Sequence, residues 1–280
     1  MKKIISNLIL LIFFALGLSI IVLSTIGIET KKFNSFVSNK INQTNNNINL
    51  QLNKIKFKID IKEISLFLET LEPKINYKTA SVPAKNIKVY VDFISLIKSK
   101  PKIKKINLSL HELDIDQLKK LIIFIKPSNF NSLVSNKIKQ GKLISEIEFY
   151  FDESNLIENF IAKGSVSDLN IEIINNLTIQ KTNFSFFADK TDILIKNIFG
   201  KLEAAKIKNG DIKIRLLPEI SLESNFLTNL EYKDKSFEHY SNLIKNHQFA
   251  KDVINLEASI NNNLLIDFDK TYKVKNYSFT

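Results

Sequence analysis

Hydrophobic and polar positions follow three successive patterns along the chain. Residues 4–28 form one apolar run without a charge, flanked by Lys2 and Lys3 before it and Glu29 after it. At about 1.5 Å of rise per residue, a helix of that length crosses the roughly 30 Å hydrocarbon layer of a bilayer. It also satisfies its own backbone hydrogen bonds there. A cleaved secretory signal is the alternative, but the run exceeds a signal's usual apolar core and no A-x-A-like cleavage site follows it. Either way the rest of the chain is expected to be exported. Next, Phe33, Phe36, Val37 and Ile41 fall at i, i+3, i+4 and i+8, which predicts a short amphipathic juxtamembrane helix stopped by Asn45, Asn46 and Asn47.

From Ile48 the period is two. Ile48, Leu50 and Leu52 alternate with Asn49 and Gln51, and Ile55, Phe57, Ile59 and Ile61 resume in the shifted phase. A turn or bulge is therefore expected at Asn53 and Lys54. Ile64, Leu66 and Leu68 mark another strand, and Pro73 precedes one at residues 74–77. The clearest pair sets Ile87, Val89, Val91 and Phe93 against Asn86, Lys88, Tyr90 and Asp92, then Ile106, Leu108 and Leu110 against Asn107 and Ser109. Each has one apolar and one wet face, as in antiparallel sheet. Asp114 or Asp116 is placed to cap an amphipathic helix over residues 116–125, ended by Pro127, and residues 128–141 form a second, partly helical interruption.

Strands are expected again at Ile147, Phe149 and Phe151, at residues 160–166, and at Leu169, Ile171 and Ile173. Others follow at residues 177–187, 193–195 and 202–205, and at Ile212, Ile214 and Leu216. Asn175 with Asn176, Ala188 through Lys190, and Asn209 with Gly210 read as the turns between them. A helix over residues 236–247 interrupts the series. Ile254 to Ile260 and Leu264 to Phe268 then read as two strands of a hairpin turning at Asn261, Asn262 and Asn263. The chain reaches Thr280 inside a further strand, an unpaired edge, from which we expect the sequence to be the front part of a longer protein. Such a meander must cover its apolar face by closing into a barrel, stacking a second sheet, curling around a helix, or filling a groove with lipid. The anchor argues against an outer-membrane barrel.

Composition narrows the function classes. The chain has 280 residues, so about 250 remain beyond the anchor, enough for one large domain or two ordinary ones. A hydrophobic share of 44% excludes general disorder. The formal charge of +11 comes almost wholly from lysine, Arg215 being the one arginine. Arginine is the residue that forks onto phosphate and guanine edges, and the lysines sit singly, as at Lys54, Lys56 and Lys58. No nucleic-acid partner is expected; anionic lipid headgroups are a better use of the charge. Absence of cysteine removes disulfides and thiol chemistry. The 21 phenylalanines, with no tryptophan, read first as core.

The order of lysine tail, anchor, short helix and strands runs through IKVYVDFISLIKSKPKIKKINLSLHELDI, residues 87–115. It resembles the N-terminal region of the AsmA-like family, which includes TamB-type proteins. The strand at residues 87–93, the hydrophobic segment 94–97, the basic linker 100–106 and the strand 107–115 match that family's succession of strand, short helix, basic linker and strand. DFDKTYKVKNYSF, residues 267–279, resembles its repeat units. The resemblance covers most of the chain, rests on strand types, and brings no catalytic residue. It implies an inner-membrane anchor and a periplasmic β-rich groove, related in architecture to chorein-type bridge proteins, in which acyl chains lie on apolar inner faces. This chain departs in length: 12–16 strands at about 4.8 Å spacing would stack to only some 60–75 Å. Spanning a periplasm would need a partner, oligomerisation or a C-terminal continuation.

The resulting expectation is a mostly β protein: an N-terminal transmembrane helix, then a long antiparallel β-meander curled into an open groove, with a few short helices. Its parts are a cytoplasmic tail (residues 1–3), the anchor (4–28), the juxtamembrane helix (29–47) and a periplasmic groove domain (48–280) incomplete at its C-terminus. Lys2 and Lys3 favour a cytoplasmic N-terminus, an asymmetry that Lys31 and Lys32 blunt.

The function expected is non-enzymatic shielding of acyl chains in phospholipid transport or outer-membrane biogenesis. The alternative is an anchored β-scaffold that assists or regulates outer-membrane protein assembly without carrying lipid. Candidate lipid-contacting residues are Ile87, Val89, Val91, Phe93, Ile106, Leu108, Leu110, Phe149 and Phe151. Replacing Val91 or Leu108 by Asp should then remove lipid more than it disturbs folding. The partners are phospholipid or another acyl-chain lipid, the inner membrane, and an outer-membrane or periplasmic protein. No cofactor or metal is expected. His239 and His247 stand eight apart, too far for an i, i+4 metal pair, and His111 is isolated. Asp114 and Asp116 read better as caps than as metal ligands or as an enzyme's acid and base. Glu146 and Glu148 share a strand face opposite Ile147 and Phe149 and read as solvated.

Overall fold

The computed structural model describes the chain except for residues 1, 32–33, 36–37, 40–41, 43–46, 64, 93–94, 96–101, 123–128, 153–155, 175–176, 203–204, 234–254 and 270–272. Helix α1 (Lys2–Thr25) contains the apolar run; its residues Ile4–Thr25 are long and apolar enough to cross a membrane, with mean hydropathy 2.8. Its hydroxyls bond back to the helix, Ser19 Oγ to Ala15 O at 2.8 Å and Thr25 Oγ1 to Ile21 O at 2.7 Å. These two hydroxyls are thereby satisfied within the helix itself. The helix ends at Thr25, short of the expected residue 28, because Gly27 takes φ +75° and the N–H groups of Ile26 and Gly27 both reach Val22 O. The chain then enters strand β1 (Ile28–Thr30). Of the juxtamembrane stretch, Asn34, Ser35, Ser38, Asn39 and Asn42 are helical, while its apolar positions Phe33, Phe36, Val37 and Ile41 lie outside the described residues.

Alternating sequence gives the following strands: β2 (Ile48–Gln51), β3 (Ile55–Asp60), β4 (Ser65–Leu71), β5 (Lys74–Tyr77), β6 (Ala80–Val82), β7 (Ala84–Val91) and β8 (Ile103–Leu110). After β9 (Leu113–Asp114) come helices α2 (Ile115–Ile122) and α3 (Asn129–Asn136), and then the long strands β10 (Ile138–Phe151), β11 (Ile157–Ile174), β12 (Leu177–Ala188) and β13 (Asp192–Leu202). The series closes with β14 (Ala205–Arg215), β15 (Ile220–Lys233), β16 (Asn255–Phe268) and β17 (Val274–Phe279). Fourteen strands form one sheet in the order β1-β3-β4-β7-β8-β10-β11-β12-β13-β14-β15-β16-β17, with β9 paired to β10; β2, β5 and β6 form a second sheet. The protein is mostly β, and among the described residues the large sheet does not close, with β1 and β17 at its two edges. The phase slip at Asn53 and Lys54 marks where the chain leaves the small sheet for the large one.

Several expected turns and breaks lie inside strands. Residues 160–166 and 169–173 are one strand, β11, and residues 193–195 and 202 are one strand, β13. Asn209 and Gly210 sit within β14, opposite Leu227 and Phe226, instead of turning. Asn261, Asn262 and Asn263 continue β16 across from Leu227, Phe226 and Asn225, so no hairpin forms there. Strand β15, absent from the expected series, supplies those partners. The helix placed at residues 236–247 and the turn at Asn175 and Asn176 lie outside the described residues.

The slips within strands are β-bulges, and three of them share one device. Asp168, Lys181 and Asn197 have φ of 51°, 52° and 56°. Each frees a backbone N–H from the ladder, and an Asx side chain on a neighbouring strand accepts it: Asn183 Oδ1 from Asp168 at 3.1 Å, Asn170 Oδ1 from Lys181 at 2.9 Å, Asp211 Oδ1 from Asn197 at 2.9 Å. A bulge adds an unpaired residue, kinks its strand and raises local twist, and here the unpaired amide is satisfied by design of sequence.

The chain divides into two compact units, Met1–His111 with Glu146–Phe160, and Glu112–Ser145 with Ile161–Thr280.

Candidate functional site

In the first unit the registers line up apolar residues from strand to strand. Directly opposed residues share a sheet face. One row runs Ile28, Phe57, Leu68, Val89, Ile106, Phe149, over six strands from β1 to β10. A second runs Ile55, Thr70, Ile87, Leu108, Ile147, and a third Ile59, Leu66, Val91, Ile103. Five strand spacings make the first row about 24 Å long. It begins three residues beyond the end of α1, at Ile28, which is 57% exposed. Phe57, Leu68, Val89, Ile106 and Phe149 are half-buried.

Eight of the nine expected contact residues are thereby placed. Ile87, Val89 and Val91 on β7, Ile106, Leu108 and Leu110 on β8, and Phe149 and Phe151 on β10 share this face of three adjacent strands. Phe93 lies outside the described residues. Val91 is only 7% exposed, so an Asp there strikes packing; Leu108, half-buried, remains a surface position and the better probe. Sequence reasoning did not extend the face to Ile28, Phe57, Leu66 and Leu68, although the same period of two marks them.

The opposite face is polar in sequence but better covered. Ser65, Phe67, Glu69, Tyr90 and Asn107 are buried there, whereas on the apolar face Ile55, Thr70 and Val91 are buried but Leu66, Leu68, Ile87 and Val89 are half-buried. Long lysine stems account for the cover. Lys58 Nζ lies 2.8 Å from Glu69 Oε2, and Lys56 Nζ 3.2 Å from Glu29 Oε1. Phe67 stacks on Tyr90 with ring centroids 5.1 Å apart, and Lys105 Nζ sits 4.4 Å from the Tyr90 centroid while holding Glu63 at 2.6 Å. Burial, with the negative charges of Asp60 and Glu63 nearby, pushes the Tyr90 hydroxyl up to about 12. Tyr150 is pushed up to about 12 by donating to Glu148 at 2.7 Å and by partial burial. Glu146 and Glu148 are therefore half-buried and partnered, Glu146 accepting from Asn107 Nδ2 at 2.8 Å, and are not the simple solvated pair expected.

The second unit holds a feature the sequence did not disclose. A cavity of about 350 Å³ lies between helices α2 and α3 and strands β9 to β13. Leu113, Leu118, Val134, Leu143, Val166 and Phe186 are among its walls, and the polar residues it touches are Asp114 and Lys142. Both are engaged elsewhere. Asp114 caps α2, its Oδ1 accepting from Gln117 N–H at 2.8 Å while its own N–H donates to Gln117 Oε1 at 3.1 Å, a reciprocal capping box. Lys142 Nζ pairs with Glu112 at 2.8 Å. The cap thus falls to Asp114. The helix it starts ends at Ile122 in the described residues, against the expected 116–125. A period-of-two pattern marks which face of β10 to β13 is apolar but not that two short helices stand over part of it.

His111 is exposed, and His239 and His247 lie outside the described residues. Among the described residues, no cluster of three or more His, Asp or Glu side chains is placed to hold a metal ion. Comparison with family models, curated proteins and solved structures returns no match.

Proposed function

We propose that this chain is a non-enzymatic, AsmA-like protein of the inner membrane whose β-rich body lies in the periplasm and shields lipid acyl chains in phospholipid transport or outer-membrane biogenesis. The observation that carries the reading is the apolar row from Ile28 to Phe149. It starts where the membrane-spanning helix ends and stays half-exposed across six strands. An acyl chain leaving a bilayer forfeits roughly 0.8 kcal/mol for each methylene that meets water, about 10 kcal/mol or more for a whole chain. An apolar strip beginning at the end of the anchor lowers that cost on the side of the chain it covers. Its length of about 24 Å exceeds the roughly 15 Å of hydrocarbon in one leaflet. The mechanism is passive: the anchor fixes the entrance, the apolar rows take the chain, and the headgroup stays in water.

The chain with its anchor, residues 1–280, should retain phospholipid through purification and lose it on Val89→Asp with Leu108→Asp. The anchored-scaffold alternative is favoured by one feature: among the described residues β17 stands at the sheet's edge with Val274, Tyr277 and Phe279 exposed, where a partner strand could be added. That alternative expects a lipid-free body and crosslinks from β17 to a partner protein.

A further inference from the structure

We propose that the pocket beneath α2 and α3 is a lipid site of the second unit, which takes the end of a single phospholipid acyl chain. The inference rests on the lipid-shielding reading above and adds to it a place where one chain is held. Its volume of about 350 Å³ falls at the small end of the roughly 300–1,000 Å³ typical of ligand pockets, room for one slender group. The chemistry of the occupant follows from the walls. Leu113, Leu118, Val134, Leu143, Val166 and Phe186 offer no hydrogen bond. The two polar residues at the site are spent, Asp114 on the α2 cap and Lys142 on Glu112. Polar groups set against these walls would find no partners there, at a cost that favours an apolar occupant. Water gains little against these walls, since a bound water needs two or more polar neighbours. Hydrocarbon is what remains, and the reservoir of hydrocarbon available to a chain with a membrane-spanning helix is the bilayer. The headgroup would stay outside, on the side of the Lys142–Glu112 pair.

The strand side of the cavity is built for this use. Val166 and Phe184 are cross-strand partners, as are Phe186 and Ile195, so one face of β11, β12 and β13 forms its floor. Gly164 lies opposite Phe186 and lets that ring lie over the backbone, because a Cβ there would collide with Ile144 O and the ring. α2 and α3 form the roof through Leu118 and Val134.

The test is photolabelling of the chain with its anchor, residues 1–280, in nanodiscs containing a phosphatidylethanolamine with a diazirine at the end of one acyl chain, the labelled peptides being identified by mass spectrometry. Label is expected on the segments carrying Leu143, Val166 and Phe186. Val166→Phe, which fills the cavity, should cut that label about tenfold, while Val166→Ala, which enlarges it, should not. If Val166→Phe does not fold, Leu143→Phe fills the same space from another strand. Label confined to the open face at Val89, Ile106 and Phe149 would overturn the cavity site and leave the lipid-shielding reading standing. Label on neither would overturn both. Cavity label that persists in a folded filled variant would overturn the proposal as well, because it would have come from outside the pocket.

Discussion

Two glycines lie opposite phenylalanines across the sheet, Gly164 facing Phe186 and Gly210 facing Phe226. The ring of each phenylalanine occupies the space where the glycine has no side chain. A Cβ at Gly210 would meet Cδ1 and Cε1 of Phe226, so Gly210→Ala must push the ring away. It should cost about 1–3 kcal/mol, as overpacking does. The check is a lower denaturant midpoint with an unchanged slope, partly restored by adding Phe226→Leu. Asn-Gly is also the strongest short hairpin signal, which is why the sequence alone points to a turn here. What overrides it is a partner sixteen residues away on β15, invisible to a local pattern. Tyrosines offer a second residue-level test. If Tyr90 and Tyr150 lie on a covered face, their hydroxyls ionise near 12 while an exposed tyrosine does so near 10. A spectrophotometric titration should therefore show a late phase, and Tyr90→Phe should diminish it. Both groups are neutral acids with raised folded values, so what they contribute to stability is complete below about pH 10 and is lost as pH rises toward 12. A single titration near 10 would mean that the polar face is open to water.

At the scale of elements, the long strands β11 to β14 depend on bulges at Asp168, Lys181 and Asn197 and on the Asx side chains that cap them. Asp211→Ala leaves the Asn197 amide without its acceptor and should cost about 1 kcal/mol, or up to about 3 if no water replaces it. Asn170→Ala should behave alike at Lys181. Asn197→Gly, which relieves the left-handed backbone, should be neutral or stabilising. Chemical denaturation of the three variants gives the check, and a destabilising Asn197→Gly would contradict the account. Strand existence was legible because alternation persists on either side of each slip. Continuity was not, because a slip of one residue reads equally as a bulge or as a break. β15 shows the opposite failure: Ile220, Leu222, Ser224, Phe226, Thr228 and Leu230 alternate cleanly, yet the polar members on the apolar face masked the strand. α2 was legible through a cap at Asp114 or Asp116, a local signal, and α3 only as a polar interruption over residues 128–141. The cavity they roof requires knowing which strands they cover, and no spacing carries that.

At the scale of the whole molecule, one apolar helix and one open antiparallel sheet were both readable, the first from an uncharged run and the second from a period of two. Of the candidate lipid face, the part on β7, β8 and β10 was readable from alternation alone. Its extension to Ile28 was not, because that residue reads as the end of the anchor until Gly27 reverses the chain and β1 pairs with β3. This also shapes any truncation: a body cut at residue 32 would lack strand β1, so residues 1–280 with the anchor are what the test requires. The most direct test is native mass spectrometry, with lipid extraction, of that protein beside its Val89→Asp/Leu108→Asp variant. Both carry the same anchor, so lipid held by α1 cancels in the comparison. The account predicts phospholipid retained at one or more molecules per chain in the wild type and a clear loss in a variant that keeps its β-sheet circular dichroism. Equal lipid in both proteins, or none in either, would contradict it.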